Sequence, residues 1–394
     1  MNKFEFSPKL RNTSFALIGI GILAVAYGFI THNHSTWPNL LINGFYFTAI
    51  ALGALFFWAL QYAAEAGWAV VVKRVPEAIA HYLPVGGLIL FVILLASVFH
   101  FNHIYHWADP AVTDPNSEEY DSIIAGKTGF LNAPFYIIRT IIYLGGWILF
   151  FRAFKKNSLI EDSNYSIAHW KKQQSLGAWF LVFFAVTSST SAWDWIMSID
   201  THWFSTLFGW YVFSGMFVSA LTVITLIVIY LKSQGLMPEV NDNHIHDLGK
   251  FMFAFSIFWT YLWFSQYMLY WYANIPEEVT YYQERFENYH FIYILNLFVN
   301  FFFPFLVLMK RGSKRRYGLL AFVGVIIILG HWSDTFVMIM PGTVKENWNI
   351  GIVEIGTFLG FLGLFSYVVL NALSKRSLDV KNHIYYKESV QHHI

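Results

Sequence analysis

The sequence predicts an all-α polytopic membrane protein of ten crossing helices, with both termini on the same side. Three observations carry that expectation. The 394 residues are 56% hydrophobic and only 12% charged, against roughly 25% charged in soluble domains, and mean hydropathy is +0.47. Apolar runs of about 20 residues, the length that crosses hydrocarbon, succeed one another with short polar breaks. The basic residues fall almost entirely into alternate breaks.

The runs cover 13–30, 39–63, 83–101, 134–151, 174–198, 206–231, 248–272, 289–309, 317–340 and 349–373. Backbone groups in hydrocarbon must bond within their own segment, so these are helices; the two-residue alternation of a membrane barrel is absent. The first run follows Lys3, Lys9 and Arg11 and ends near Ala24-Val25-Ala26, a pattern that a cleavable signal shares. It is read here as a retained span. With the N-terminus inside, 21 of the 25 Lys and Arg fall inside, Lys127, Arg285 and Lys345 fall outside, and Arg139 is embedded. The positive-inside rule then places both termini in the cytoplasm.

Between spans, segment 102–133 is outside and acidic, with Asp109, Asp114, Glu118, Glu119 and Asp121. It is too short for a domain and reads as a cap or docking surface. The inside loop 152–173 and the tail 374–394 are polar, and partial disorder is expected in the tail.

Composition also excludes. Lys+Arg 25 against Asp+Glu 24 leaves no basic surface for nucleic acid. The absence of cysteine removes thiolate-held iron–sulfur clusters, CxxCH haem attachment and disulfides. No metal site is expected, and no covalently bound cofactor. His100, His103 and His106 are spaced by three and would share a helix face, but a bis-haem membrane cytochrome needs a second pair at another depth.

Ionisable residues inside spans are costly and so are functional candidates. Those in this chain gather toward the outer side: His100, His103, Arg139, Asp194, His331, Asp334 and Glu354. The inner side offers chiefly Glu65. His331 and Asp334, three residues apart, share a face, and the carboxylate would orient or charge the imidazole. Asp194 lies between Trp193 and Trp195, a desolvated setting suited to proton relay; a snorkelled interfacial acid is the plainer alternative. Glu354 and Arg139 are expected to form an ion pair.

Three stretches carry a family resemblance: SAWDWIMSIDTHWFSTLFGWYVFSGMF at 191–217, YMLYWYANIPEE at 267–278 and HWSDTFVMIMP at 331–341. Together they resemble the smaller of two related membrane subunits of bacterial alternative complex III, a quinol:cytochrome c (or other electron acceptor) oxidoreductase. Its membrane subunits belong to the NrfD-like family, with the polysulfide reductase membrane anchor. The resemblance implies two four-helix bundles, helices 2–5 over 39–198 and helices 6–9 over 206–340, with helices 1 and 10 outside them. It implies quinol, a menaquinone or a ubiquinone, handled near the periplasmic face of the bacterial inner membrane. It also implies partners: a larger homologous membrane subunit, a periplasmic iron–sulfur subunit, haem c subunits, a terminal oxidase and lipids. This subunit is expected to serve as scaffold and proton path. The equivalence of helices 5 and 9 has modest support in the residues themselves, since both place an acid beside Trp near their outer ends.

In WYANIPEE, Pro276 is expected to end helix 7, leaving Glu277 and Glu278 in an outer loop where, with Tyr270 and Trp271, they would contact a partner. A secondary transporter with an internal parallel repeat is the alternative from another class. Transporters favour Gly/Pro-broken helices near mid-membrane, and Pro84, Pro134, Pro304 and Pro341 read as lying mostly near helix ends.

Overall fold

A computed structural model describes residues 3–163 and 166–393. Among them there is no strand beyond one isolated bridge between Lys3 and Ser377. Nine helices among the described residues are long and apolar enough to cross a membrane: α1 Pro8–Ile30, α2 Thr36–Ala63, α3 Arg74–Val98, α4 Ala133–Ser163, α5 Ile167–Ile199, α6 Phe208–Ser233, α8 His290–Leu308, α9 Tyr317–Val344 and α10 Ile352–Ser374. The expected span 248–272 lies in a further long helix, α7 Asp242–Ala273. It falls outside the nine because Trp, Tyr, Ser, Thr and Gln replace much of its aliphatic content.

Local sequence sets the helix ends. Ser7 caps α1 by accepting from the Leu10 amide at 3.3 Å, with Pro8 at the first position, where no amide donor is needed. Asn241 and His244 close a reciprocal capping box on α7. At the other end of α7, Asn274 takes a left-handed turn at φ 48°, which an Asn tolerates. Pro276 then begins a separate helix, Pro276–Glu287, rather than merely ending the one before. Glu277 and Glu278 sit in its first turn, where the amide dipoles favour acids.

Packing closes two rings of four. In one, α2 meets α3, α3 meets α4, α4 meets α5 and α5 returns to α2; in the other, α6, α7, α8 and α9 do the same. Helices α2 and α6 join the rings. The Tyr46 hydroxyl donates to the Ile328 carbonyl at 2.7 Å, and the Trp332 indole to Asn43 Oδ1 at 2.9 Å. Accordingly α2 is 89% buried over its apolar window and α1 only 22%. Helix α1 packs along α10, so closely that a Cβ on Gly21 would lie 2.3 Å from the Gly360 Cα. The backbones touch, as small residues permit in membranes. Gly360→Val is therefore expected to part α1 from α10 and cost roughly 1–3 kcal/mol as an overpacked contact, read as a lower thermal midpoint.

The end of the molecule that holds Lys3 and Ser377 is the tail face, and the opposite end the far face. The tail is not loose: residues 375–393 lie against the tail face through many side chains, described below. Segment 102–133 folds onto the far face as a cap. Its Tyr105 and Trp107 are buried, and the Tyr105 hydroxyl donates to the Trp195 carbonyl at 2.8 Å.

Two helices are interrupted. Helix α3 breaks at His81-Tyr82, ahead of Pro84, and α8 contains a π-helical turn, Phe298–Phe302, ahead of Pro304. Pro84 thus lies well inside a span, contrary to the sequence reading, while Pro134, Pro304 and Pro341 lie near helix ends.

Candidate functional site

The two buried acids of the far face occupy different chemical settings. Asp194, near the end of α5, is fully buried. Arg139 of α4 grips it with two parallel bonds, Nε to Oδ2 at 2.8 Å and a terminal nitrogen to Oδ1 at 2.7 Å. The Tyr143 hydroxyl adds a third at 2.9 Å. The guanidinium also donates to the Phe130 carbonyl at 3.0 Å and is flanked by the Phe130 and Phe135 rings, 3.9 and 4.1 Å away. All three guanidinium nitrogens and both carboxylate oxygens of this group are engaged. A bidentate pair of this kind holds its geometry and its charges.

The expected Arg139–Glu354 pair does not form. Glu354 stands in the first turn of α10. It accepts from Ser35 Oγ at 2.6 Å, Asn39 Nδ2 at 2.9 Å and the Gly351 amide at 2.9 Å. Three neutral donors satisfy it as a cap and as a bridge between α2 and α10. Glu354→Leu is expected to cost roughly 1–3 kcal/mol, the penalty for stranding buried donors, visible as a lower unfolding midpoint.

Asp334, in α9, is buried as deeply, yet no cation bonds to it. Its donors are the Tyr211 hydroxyl from α6 and the Trp259 indole from α7, the latter at 3.0 Å. His331 shares its face, as the spacing predicts, with Nδ1 4.0 Å from Asp334 Oδ2. That is ion-pair distance but no hydrogen bond. Both ring nitrogens of His331 lack a hydrogen-bond partner, and the ring stands edge-on to Trp259 with centroids 5.4 Å apart. Asn300, in the π-helical turn of α8, rests on Gly330: a Cβ there would come within 2.2 Å of Asn300 Oδ1. Asn296, one turn away on the same face of α8, is also buried, and neither amide has a partner.

A cavity of about 20 Å³ opens beside Asp334, lined among others by Tyr211, Gln266, Tyr293 and Arg285. It has room for one water. Arg285, in the helix Pro276–Glu287, is 2% exposed. It stacks 3.3 Å from the Tyr281 ring and reaches Asp200 at 3.3 Å and the Met338 carbonyl at 3.2 Å. Burial pushes the Asp200 carboxyl up, and Arg285 offsets only part of that rise. The short helix therefore plugs the far-face mouth of this cavity with a cation. The sequence showed a signal for it: Arg285 is one of only three basic residues on the sparse side.

The remaining candidates scatter. His100 and His103 do not lie on a helix, since α3 ends at Val98 and the chain turns at His100 with φ 62°. His106 opens a separate short turn, so the three share no face. Trp271 is 67% exposed, and the Tyr270 hydroxyl donates to the Phe204 carbonyl. Glu277 is exposed and Glu278 half-buried.

Glu65 also differs from expectation. It lies just past α2, exposed, and accepts from Gln174 and Tyr385. The buried charges of the tail face are others: Lys73, Arg74, Glu77 and Glu161. Lys73 and the Tyr62 hydroxyl both bond Glu161 Oε2, and Arg74 bonds Glu77 at 2.9 Å and also Asp162. Buried ionisable groups thus stand at both ends of the molecule, and the far-face concentration read from the sequence is only half the picture.

No protein-family model matches the chain, and no curated protein matches it.

Proposed function

We propose that this chain is the scaffold and proton-path membrane subunit of a respiratory quinol:electron acceptor oxidoreductase of the alternative complex III type. In this reading ten helices, α1 to α10, cross the bacterial inner membrane with both termini cytoplasmic. The rings α2–α5 and α6–α9 are its two bundles. The observation that carries the reading is the asymmetry of the two acids. Asp194 is neutralised by Arg139, whereas Asp334 meets only neutral donors and His331 at 4.0 Å. A carboxylate at this depth is costly without a counter-charge, and here charge is balanced when either Asp334 or His331 takes up a proton. Such a dyad accepts and passes a proton.

The water-sized cavity by Asp334 is lined by Arg285 at the far face; in this reading that face is periplasmic, the side on which quinol oxidation releases protons. Partners in this account are the larger homologous membrane subunit, a periplasmic iron–sulfur subunit and haem c subunits. Quinone, a menaquinone or a ubiquinone, is held in their company. Affinity purification of the chain from native membranes tests the account: iron–sulfur and haem c polypeptides with quinol oxidation activity are the expected companions.

The interrupted helices α3 and α8 favour a second reading, a secondary transporter. Broken helices of transporters occupy corresponding positions of the two repeats, and α3 and α8 do not correspond when α2–α5 is laid on α6–α9. Isolation of the chain alone or as a homo-oligomer, without redox partners, would favour the transporter.

A further inference from the structure

We propose that residues 375–393 form a clasp that ties the two bundles together at the tail face, closes a buried cavity there, and releases on acidification. The clasp rests on contacts to both rings and stands whether or not the quinol reading holds.

Its first anchor is Arg376, which reaches Glu77 at 3.0 Å and so joins Arg74 on the same carboxylate. Further on, Asn382 donates to the Asp162 carbonyl at 2.6 Å. The Tyr385 ring stands edge-on to Trp170 of α5 with centroids 5.7 Å apart. These contacts belong to the first bundle. Ser389 bonds both bundles, Trp68 and Val71 lying between α2 and α3 and His244 in α7, and the last anchors lie wholly on the second. Ser389 Oγ donates to the Trp68 carbonyl at 2.7 Å and accepts from the Val71 amide at 3.2 Å, while the Ser389 carbonyl meets His244 Nε2 at 3.0 Å. His392 Nε2 lies 2.7 Å from Asp247, and its carbonyl accepts from Asn241 and Asn243 at 3.0 and 3.1 Å. His244, Asp247 and Asn243 all belong to the first turns of α7.

Between the anchors, the clasp forms one wall of a cavity of about 20 Å³ lined by Trp58, Gln61, Tyr62, Lys73, His383 and Tyr385. The Trp58 indole nitrogen, Gln61 Oε1 and Glu161 Oε1 at this end are buried without hydrogen-bond partners. Lifting His383 and Tyr385 away would open these groups and the Lys73–Glu161 pair to water.

His383 makes the closure sensitive to pH. Its Nε2 lies 3.5 Å from Glu161 Oε1 of α4, and its ring is 5.6 Å from the Tyr62 ring of α2. Lys73, Arg74 and Glu77 face it from the segment after α2, and Tyr385 from the tail itself. Burial pushes the imidazole down to about 3, Lys73 and Arg74 push the same way, and Glu77 pulls it up. A released tail would hold this histidine near the ordinary imidazole value of about 6.5. The docked state therefore favours the neutral ring: its contribution is complete above about 6.5 and falls about tenfold per pH unit below that.

Amide hydrogen exchange on the native chain in nanodiscs, corrected for intrinsic rates, tests this without any variant. Protection of Val71 and of residues 375–393 is expected to fall about 30-fold between pH 7.5 and pH 5. In His383→Gln, which stays neutral, protection should be the same at both values. Unchanged protection in the native chain overturns the pH claim. So does an equal loss in the glutamine variant, which would assign it to other groups such as His392. Closure has its own readout on the full chain: the Val71 amide, which donates to Ser389 Oγ, should lose protection in step with residues 375–393, and a Val71 amide that stays protected while the tail exchanges overturns the seal.

Discussion

Replacing Arg139 with methionine is expected to destabilise the protein by roughly 3–5 kcal/mol, the largest single effect in the far face. The size follows from what is left behind: Asp194, fully buried, would keep only Tyr143 as a donor. Removing one partner of a buried pair strands the other charge, which costs far more than the pair itself contributes. Replacing both charges, as R139M/D194N, should recover most of that loss, because the stranded charge is then gone and Tyr143 still has an acceptor. A thermal or denaturant titration of the single and double variants measures the difference directly. If R139M alone unfolds like the native chain, Asp194 is not held as its geometry indicates.

Asp334→Asn is expected to do the reverse. Asparagine can turn its oxygen to the Trp259 indole and donate its amide to the Tyr211 hydroxyl, which accepts as well as donates, so the fold and assembly should survive with a midpoint close to native. It cannot carry the proton, and loss of a positioned acid–base group costs about 100-fold or more in a proton-transfer step. Turnover of the assembled complex, or proton release coupled to it, is the measurement. The same substitution at Asp194 should behave differently, lowering stability because Arg139 is then the stranded charge.

Much of the architecture was legible because hydrocarbon leaves little choice. A run such as 206–231 can only be a helix, and Phe208–Ser233 is one. Asp194, His331 and Asp334 were legible as candidates because each breaks an apolar run. Their partners were not. Arg139 and Asp194 are 55 positions apart on neighbouring helices, and depth alone placed Glu354 equally well.

 Glu354 finds Ser35 and Asn39 instead because α10 packs against α2 and not against α4. The tail-face charges were hidden for another reason. Glu161 and Asp162 read as loop residues, but α4 continues as a helix to Ser163 and carries them under the docked tail. The tail itself looks disordered by composition, and it is the partners in 65–77 and 241–247 that order it. The histidine series 100, 103, 106 misled because its spacing is helical while the helix has already ended at Val98.

The central claim is that one far-face acid is locked in an ion pair while the other exchanges a proton. A hydrophobic carbodiimide, which modifies carboxyls that carry a proton, tests this on the intact chain by peptide mass spectrometry. The account predicts modification at Asp334, none at Asp194, and loss of the adduct in D334N. Modification of Asp194 with Asp334 untouched would contradict it.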